Sequence, residues 1–99
     1  MTTDQRLLNE PTYHELGNSV REGSTAAKEI LALRLKRLES QAGQLSAASG
    51  RLKKLVREST DKEERRRYGR EIAALRARLG ACREEISKAC KALAQGRPS

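Results

Sequence analysis

Two stretches of this sequence repeat apolar or small residues with alternating spacings of four and three. The first repeat runs from Leu31 to Val56 and the second from Tyr68 to Leu93. This heptad pattern places one residue of each turn on a single stripe of an α-helix. We call the sixteen positions the seam: Leu31, Leu35, Leu38, Ala42, Leu45, Ser49, Leu52 and Val56, then Tyr68, Ile72, Leu75, Leu79, Cys82, Ile86, Ala89 and Leu93.

The two repeats match each other as an antiparallel pair. When facing residue numbers sum to 124, as for Leu45 and Leu79, nearly every layer contains a sizeable apolar side chain. A shift by one heptad would instead place Asp61 and Arg65 on the seam. We therefore predict an all-α protein built as an antiparallel two-helix coiled-coil hairpin.

Capping residues predict where the helices begin. Ser24 or Thr25 precedes the first repeat, and Thr60 or Asp61, each followed by glutamate three residues later, precedes the second. Such residues satisfy the free amides of a first helical turn. The predicted segments are an N-terminal segment 1–23, a hairpin over 24–95 with helices over about 24–58 and 62–94, and a tail 96–99.

The N-terminal segment is punctuated by Pro11, Gly17 and Gly23. Thr12 and Glu15 have the spacing of a capping box. We expect a loosely structured segment that contains a short helix near 12–21.

A hairpin of this kind has few large residues to bury. Hydrophobic residues make up 36% of the chain, Trp and Phe are absent, and the two aromatic residues are Tyr13 and Tyr68. Small two-helix units usually need further packing. Dimerisation into a four-helix bundle is the expected solution, and packing of residues 1–23 against the hairpin is the alternative.

Small residues interrupt the outer faces of both helices, most densely in SQAGQLSAASG at 40–50. Glycine weakens a helix, so helix propensity explains the alanines better than the glycines. The patch suits close approach of a second copy, contact with a nucleic-acid duplex, or plain solvent exposure. We predict a dimer interface formed by Gly43, Ala47, Gly50, Ala74, Ala77 and Ala81.

Positive charge is concentrated toward the predicted hairpin tip. The chain has 21 Lys and Arg against 13 Asp and Glu, a net charge of +8, which favours a polyanionic partner. The alternative is a solvated helix with ion pairs four residues apart, for example Glu63 with Arg67. The candidate phosphate-binding residues, which we call the tip cations, are Arg51, Lys53, Lys54, Arg57, Arg65, Arg66, Arg67 and Arg70.

The other residues of the chain indicate which kind of nucleic acid the tip cations would bind. Nearly absent aromatic residues argue against single-strand binding by base stacking. The sequence has no helix-turn-helix, zinc-finger or RRM signature. We predict binding of a duplex through its backbone, with RNA slightly preferred over DNA. The alternative is a protein-interaction module, such as an adaptor, secretion chaperone or assembly subunit, that binds a coiled coil or an acidic protein.

Catalysis, metal binding and membrane insertion have little support in the sequence. His14 is the single histidine, and no Gly-rich phosphate loop is present. Cys82 and Cys90 would lie about 12 Å apart along one helix, which is too far for a disulfide. We therefore expect both thiols to be free, and we expect them to be mostly buried. No apolar run reaches the roughly 18–20 residues of a membrane span, and the first residues lack a signal-peptide pattern. We expect a cytoplasmic protein without enzymatic activity, cofactor or metal.

The stretch RLKRLESQAGQL at 34–45 resembles the opening helix of the copper-sensing repressors. The Cys and His ligands that this family has after that helix are missing here. The resemblance therefore implies nothing about copper for this chain.

Overall fold

Three α-helices make up most of the chain, of which the computed structural model describes residues 11–96. Helix α1 spans Tyr13–Arg21, α2 spans Thr25–Glu58 and α3 spans Lys62–Ala94. The prediction of an all-α chain is confirmed for residues 11–96, which contain no strand. The parts of the predicted N-terminal segment and tail at 1–10 and 97–99 lie outside the described residues.

Each helix begins at a side chain that caps it. The capping oxygen accepts a hydrogen bond from an amide that has no partner inside the helix. All three caps fall where the sequence pattern indicated. The bonds are Glu15 N to Thr12 Oγ1 at 3.1 Å, Ala27 N to Ser24 Oγ at 3.1 Å and Glu63 N to Asp61 Oδ1 at 3.0 Å.

The turn between α1 and α2 depends on a glycine. Gly23 has a φ of 93°, a left-handed conformation that a side chain would disfavour. Its amide donates to Val20 O at 2.9 Å, which closes the end of α1.

The chain divides into two compact units whose boundaries lie inside the long helices. Unit 1 contains the described residues 11–36 and 87–96, and unit 2 contains Arg37–Ile86. The sequence predicts one continuous hairpin over 24–95 and gives no sign of this division.

The core of unit 1 combines all three helices. Leu31 is fully buried and Val20 is 1% exposed. They form one apolar cluster with Leu16, Ala27 and Ala92. Tyr13 and Leu93 pack against this cluster, and the guanidinium of Arg34 lies 5.5 Å from the Tyr13 ring centroid.

Helix α1 lies close against the end of α3. A Cβ added to Gly17 would lie 3.5 Å from Ala92 Cα, so the two backbones are near contact. Arg21 Nη2 donates to Gln95 Oε1 at 2.7 Å. The predicted short helix near 12–21 is confirmed as Tyr13–Arg21. The expectation of loose structure is wrong for these residues, because the helix supplies Leu16 and Val20 to the core.

Unit 2 is more thinly packed. Its buried residues are Ser49, Ile72 and Cys82, and its remaining seam positions are half-buried. Cys82 Sγ donates to Leu38 O at 3.1 Å, a contact between α2 and α3. Across both units, all sixteen seam positions are buried or half-buried, which confirms that the heptad pattern identified the inward stripe of each helix.

Candidate nucleic-acid interface

All eight tip cations are exposed and lie on helical segments of unit 2. Arg51, Lys53, Lys54 and Arg57 belong to the last turns of α2. The four arginines from Arg65 to Arg70 belong to the first turns of α3. Because the backbone is helical on both sides, the spacing of the Cα atoms that carry these side chains is fixed along each helix. Such an arrangement suits a partner with regularly spaced anions.

Carboxylates share the beginning of α3 with the arginines. A shallow cleft of about 480 Å³ is lined by three acids and three arginines. Their formal charges cancel, so the positive excess lies mainly on the cations outside the cleft. The lining residues are Asp61, Glu63, Glu64, Arg66, Arg67 and Arg70.

Two of these acids have structural roles at the helix start. Asp61 caps α3, and Glu64 Oε2 accepts from Ser59 Oγ at 3.0 Å. Negative charge is favoured there because the helix dipole is positive at its N-terminus. These acids reduce the net positive charge at the tip, and they also stabilise the first turn of α3.

The six predicted dimer-interface residues are all exposed. A Cβ added to Gly43 or Gly50 would meet no atom within 4 Å. Neither glycine has the positive φ that Gly23 has. Packing and backbone conformation among residues 11–96 therefore do not require glycine at these two positions.

A groove crosses unit 2 between α2 and α3. Its volume is about 690 Å³. The buried or half-buried lining residues are Leu38, Leu45, Ala48, Leu75, Cys82 and Glu85. The exposed lining residues are Gln41, Gln44, Arg51, Arg78 and Ala81.

This groove only partly coincides with the predicted dimer interface. Ala81 lines it, whereas Gly43, Ala47, Gly50, Ala74 and Ala77 are not among its lining residues. The sequence did not predict the groove, because the predicted contact surface was based on the smallest residues of the two helices. The available signal was the row Gln41, Ala48, Arg78 and Glu85, which flanks the seam at heptad spacing and carries no net charge.

The two cysteines differ in exposure. Cys82 is buried and Cys90 is exposed, and neither forms a disulfide. The prediction of mostly buried thiols is correct for Cys82 and wrong for Cys90. Cys90 follows Ala89, a seam residue, and so lies just off the inward stripe.

We expect a thiol reagent to label Cys90 at least about tenfold faster than Cys82 in the native protein, because burial limits access to the Cys82 thiolate. Mass spectrometry of labelled peptides measures both rates. A Cys90→Ser variant isolates the slower site, and guanidinium should make the two rates similar. Equal rates without denaturant would contradict the packing of unit 2.

Among residues 11–96, no group of three His, Cys, Asp or Glu side chains is arranged to hold a metal ion. His14 is exposed, with its Nε2 3.3 Å from Asn18 Nδ2. Within the same range, none of the helices combines the length and apolar character needed to cross a membrane.

Comparison of the chain with models of protein families, with known proteins and with solved structures gives no match.

Proposed function

We propose that this chain binds nucleic-acid duplexes through their phosphate backbone, with RNA slightly preferred over DNA, and acts as a dimer in the cytoplasm. The observation that carries the proposal is the exposure of all eight tip cations on helical segments of one unit. Six of the eight are arginines, whose planar fork suits bidentate contact with phosphate. The net charge of +8 adds long-range attraction to any polyanion.

The distribution of other residues favours a duplex over a single strand. Tyr68 is half-buried on the seam, and the Arg67 guanidinium lies 5.6 Å from its ring centroid. Its ring is thus engaged within the chain rather than offered as a stacking platform. Cations at set positions on helices can instead follow the regular backbone of a duplex.

A gel-shift experiment tests this proposal. The full chain is mixed with generic double-stranded RNA, double-stranded DNA and a single strand of equal length, each at two salt concentrations. We expect binding to both duplexes that is insensitive to sequence and weaker at the higher salt. Absence of duplex binding even at low salt would overturn the proposal.

The groove of unit 2 favours a second candidate function. Leucine side chains on its inner wall and polar residues at its exposed edge are typical of surfaces that receive an amphipathic helix. A protein-interaction module would bind a coiled coil or an acidic protein there. Capture of protein helices together with a negative gel shift would favour this candidate.

The proposed dimer consists of two antiparallel hairpins that form a four-helix bundle. Only residues 59–61 separate α2 from α3, and a connection this short favours antiparallel neighbours. The hydrogen bond between Cys82 and Leu38 supports the pairing, because the Leu38 carbonyl lies next to Ala42, the proposed partner of Cys82.

Disulfide crosslinking tests the register of this hairpin. With Leu45 and Leu79 both changed to cysteine in a Cys82→Ala, Cys90→Ser background, we expect rapid formation of an intrachain disulfide, since facing seam residues have nearby Cβ atoms. Non-reducing electrophoresis and peptide mapping detect it. The matched control pairs Leu45→Cys with Ile72→Cys. Preferential crosslinking of the control would mean that the register is shifted by one heptad.

A further inference from the structure

A cleft of about 210 Å³ lies between α1 and the last turns of α3. Its lining residues all belong to unit 1, whereas the tip cations and the groove belong to unit 2. Gly17 and Ala92 are buried at its base, where the two helix backbones are near contact. Longer side chains on either side of this contact form the walls of the cleft.

The walls are polar, and their charge has one sign. The polar side chains of the two helices that carry hydrogen-bond donors into the lining are His14, Asn18 and Arg21 from one helix, and Lys88, Lys91 and Gln95 from the other helix and the residue after it. Among residues 11–96, no acid lines this cleft. The cleft at the beginning of α3 differs, because acids line it together with arginines. Three cations without an acid give the unit 1 cleft a positive local charge, which favours an anion.

Hydrogen bonds hold several of these donors in place. Arg21 Nη2 donates to Gln95 Oε1 at 2.7 Å, which joins the two walls and orients the guanidinium. The other N–H groups of the guanidinium and the amide N–H groups of Gln95 remain as donors. Asn18 Nδ2 lies 3.3 Å from His14 Nε2, and an amide nitrogen has two N–H groups. Both walls therefore present donors to the cleft.

The two lysines of the cleft differ in their surroundings. Lys88 already has an interaction within the chain, and Glu85 lies three residues before it. Lys91 is exposed, and the partner of Arg21 is a neutral amide. The charges that are available to a ligand are therefore mainly those of Arg21 and Lys91.

The ends of the helices explain only part of this arrangement. Arg21 and Lys91 lie in the last turns of α1 and α3, where the helix dipole favours a cation. That effect acts on each helix separately and does not depend on the position of the residue around the helix axis. It does not explain why both cations line the same cleft.

We propose that this cleft binds the phosphate group of a small phosphate monoester. Such a group carries about two negative charges near neutral pH and has three terminal oxygens, so it accepts hydrogen bonds from both walls. The fork of Arg21 suits two of these oxygens, and the Lys91 ammonium suits the third. The cleft is smaller than the roughly 300–1,000 Å³ of sites that enclose a whole ligand, so the rest of the ligand stays in solvent. The inference goes beyond the proposed function, because it does not depend on duplex binding.

Titration of the full-length chain with inorganic phosphate tests the proposal, with chloride used to hold the ionic strength constant. His14 is the single histidine, so its ring protons give an NMR signal from one site. The side-chain amides of Asn18 and Gln95 report on the two walls. We expect saturable shifts of all three signals, with a dissociation constant on the order of 1 mM. Absence of saturable shifts would overturn the site.

Two further anions test the chemical class of the ligand. Acetate has one charge, and dimethyl phosphate resembles a backbone phosphodiester. We expect each to bind at least about tenfold more weakly than methyl phosphate, because each has less charge to interact with Arg21 and Lys91. Equal binding of acetate would overturn the choice of phosphate. Equal binding of dimethyl phosphate would overturn the choice of a monoester and make the cleft a further contact for a nucleic-acid backbone.

Substitutions test the two assigned cations. Lys91→Gln and Arg21→Gln each remove a charge-assisted hydrogen bond, so each should weaken phosphate binding at least about tenfold. Lys36→Gln and Arg37→Gln are the matched controls, since they remove the same charges from exposed residues that do not line the cleft. The controls should leave the dissociation constant nearly unchanged. Equal weakening by the controls would mean that net charge alone attracts phosphate, and would overturn the site.

Thermal unfolding gives a second readout that does not depend on NMR. A ligand that binds the native state raises the melting temperature, but phosphate also stabilises proteins by exclusion from their surface. Lys91→Gln separates the two effects, because the general effect remains in this variant. With phosphate at roughly ten times its dissociation constant, the unmodified chain should gain more stability than Lys91→Gln does. Far-UV circular dichroism measures both transitions and checks that the variant is helical. Equal gains would overturn the proposal.

Discussion

Replacement of Arg65, Arg66 and Arg70 by alanine is expected to weaken duplex binding and flatten its salt dependence. A dimer that makes about four to eight phosphate contacts has a log–log slope of roughly −4 to −7, since each contact releases counterions. Affinity of the unmodified protein should then fall by about 10²–10⁴ between 50 and 200 mM salt. The variant loses three of the eight tip cations of each copy, so its slope should fall to roughly five-eighths of the original value. Fluorescence anisotropy titrations with one duplex at four salt concentrations measure both slopes.

The control for this experiment has the same change in net charge. Lys36, Arg37 and Arg83 are exposed and are not tip cations. Their triple replacement by alanine should reduce long-range attraction as much as the tip variant does. It should leave most of the salt dependence of duplex binding unchanged. If the control flattens the slope as much as the tip variant, binding is diffuse and has no preference for the tip. If only the control flattens it, the site lies away from the tip.

Leu31→Ala is expected to destabilise the chain by about 2–5 kcal/mol, because it removes a fully buried side chain and leaves a cavity. In a domain of this size the melting temperature should fall by roughly 10–30 °C. Circular dichroism during heating measures the change. The effect is large because Leu31 packs in the cluster where α1 and both long helices meet.

Leu33→Ala is the matched control on the same helix. Leu33 is 54% exposed, so truncation removes little buried area and should cost well under about 1 kcal/mol. Equal melting temperatures for the two variants would contradict the core of unit 1. A loss of stability from Leu33→Ala that disappears on dilution would instead indicate that Leu33 contacts another copy.

The division into two units affects how these results are interpreted. Leu31 reports on unit 1, whereas the tip arginines and the groove report on unit 2. Unfolding in two steps would therefore be consistent with the structure. A single melting temperature would then not describe the stability of both units. Probes in each unit, such as the absorbance of Tyr13 and of Tyr68 in single-tyrosine variants, separate the two transitions.

Several features of this protein follow from the sequence alone. The alternation of four and three selected the inward stripe of both long helices, because a residue's position around a helix depends only on its number along the chain. Thr12, Ser24 and Asp61 were recognisable as caps because a cap bonds an amide only two or three residues away. These interactions are local, so the sequence determines them without knowledge of the fold.

Other features depended on contacts between residues distant in sequence. Tyr13, Leu16 and Val20 already have helical apolar spacing, but only the tertiary structure places them against Leu31 and Ala92. The acids at the start of α3 were visible in the sequence, yet their shared cleft with the arginines required the folded arrangement. The exposure of Cys90 and the groove beside Leu45 likewise depend on which faces another helix covers. Heptad spacing determines the face a residue occupies, and only tertiary packing decides whether that face is covered.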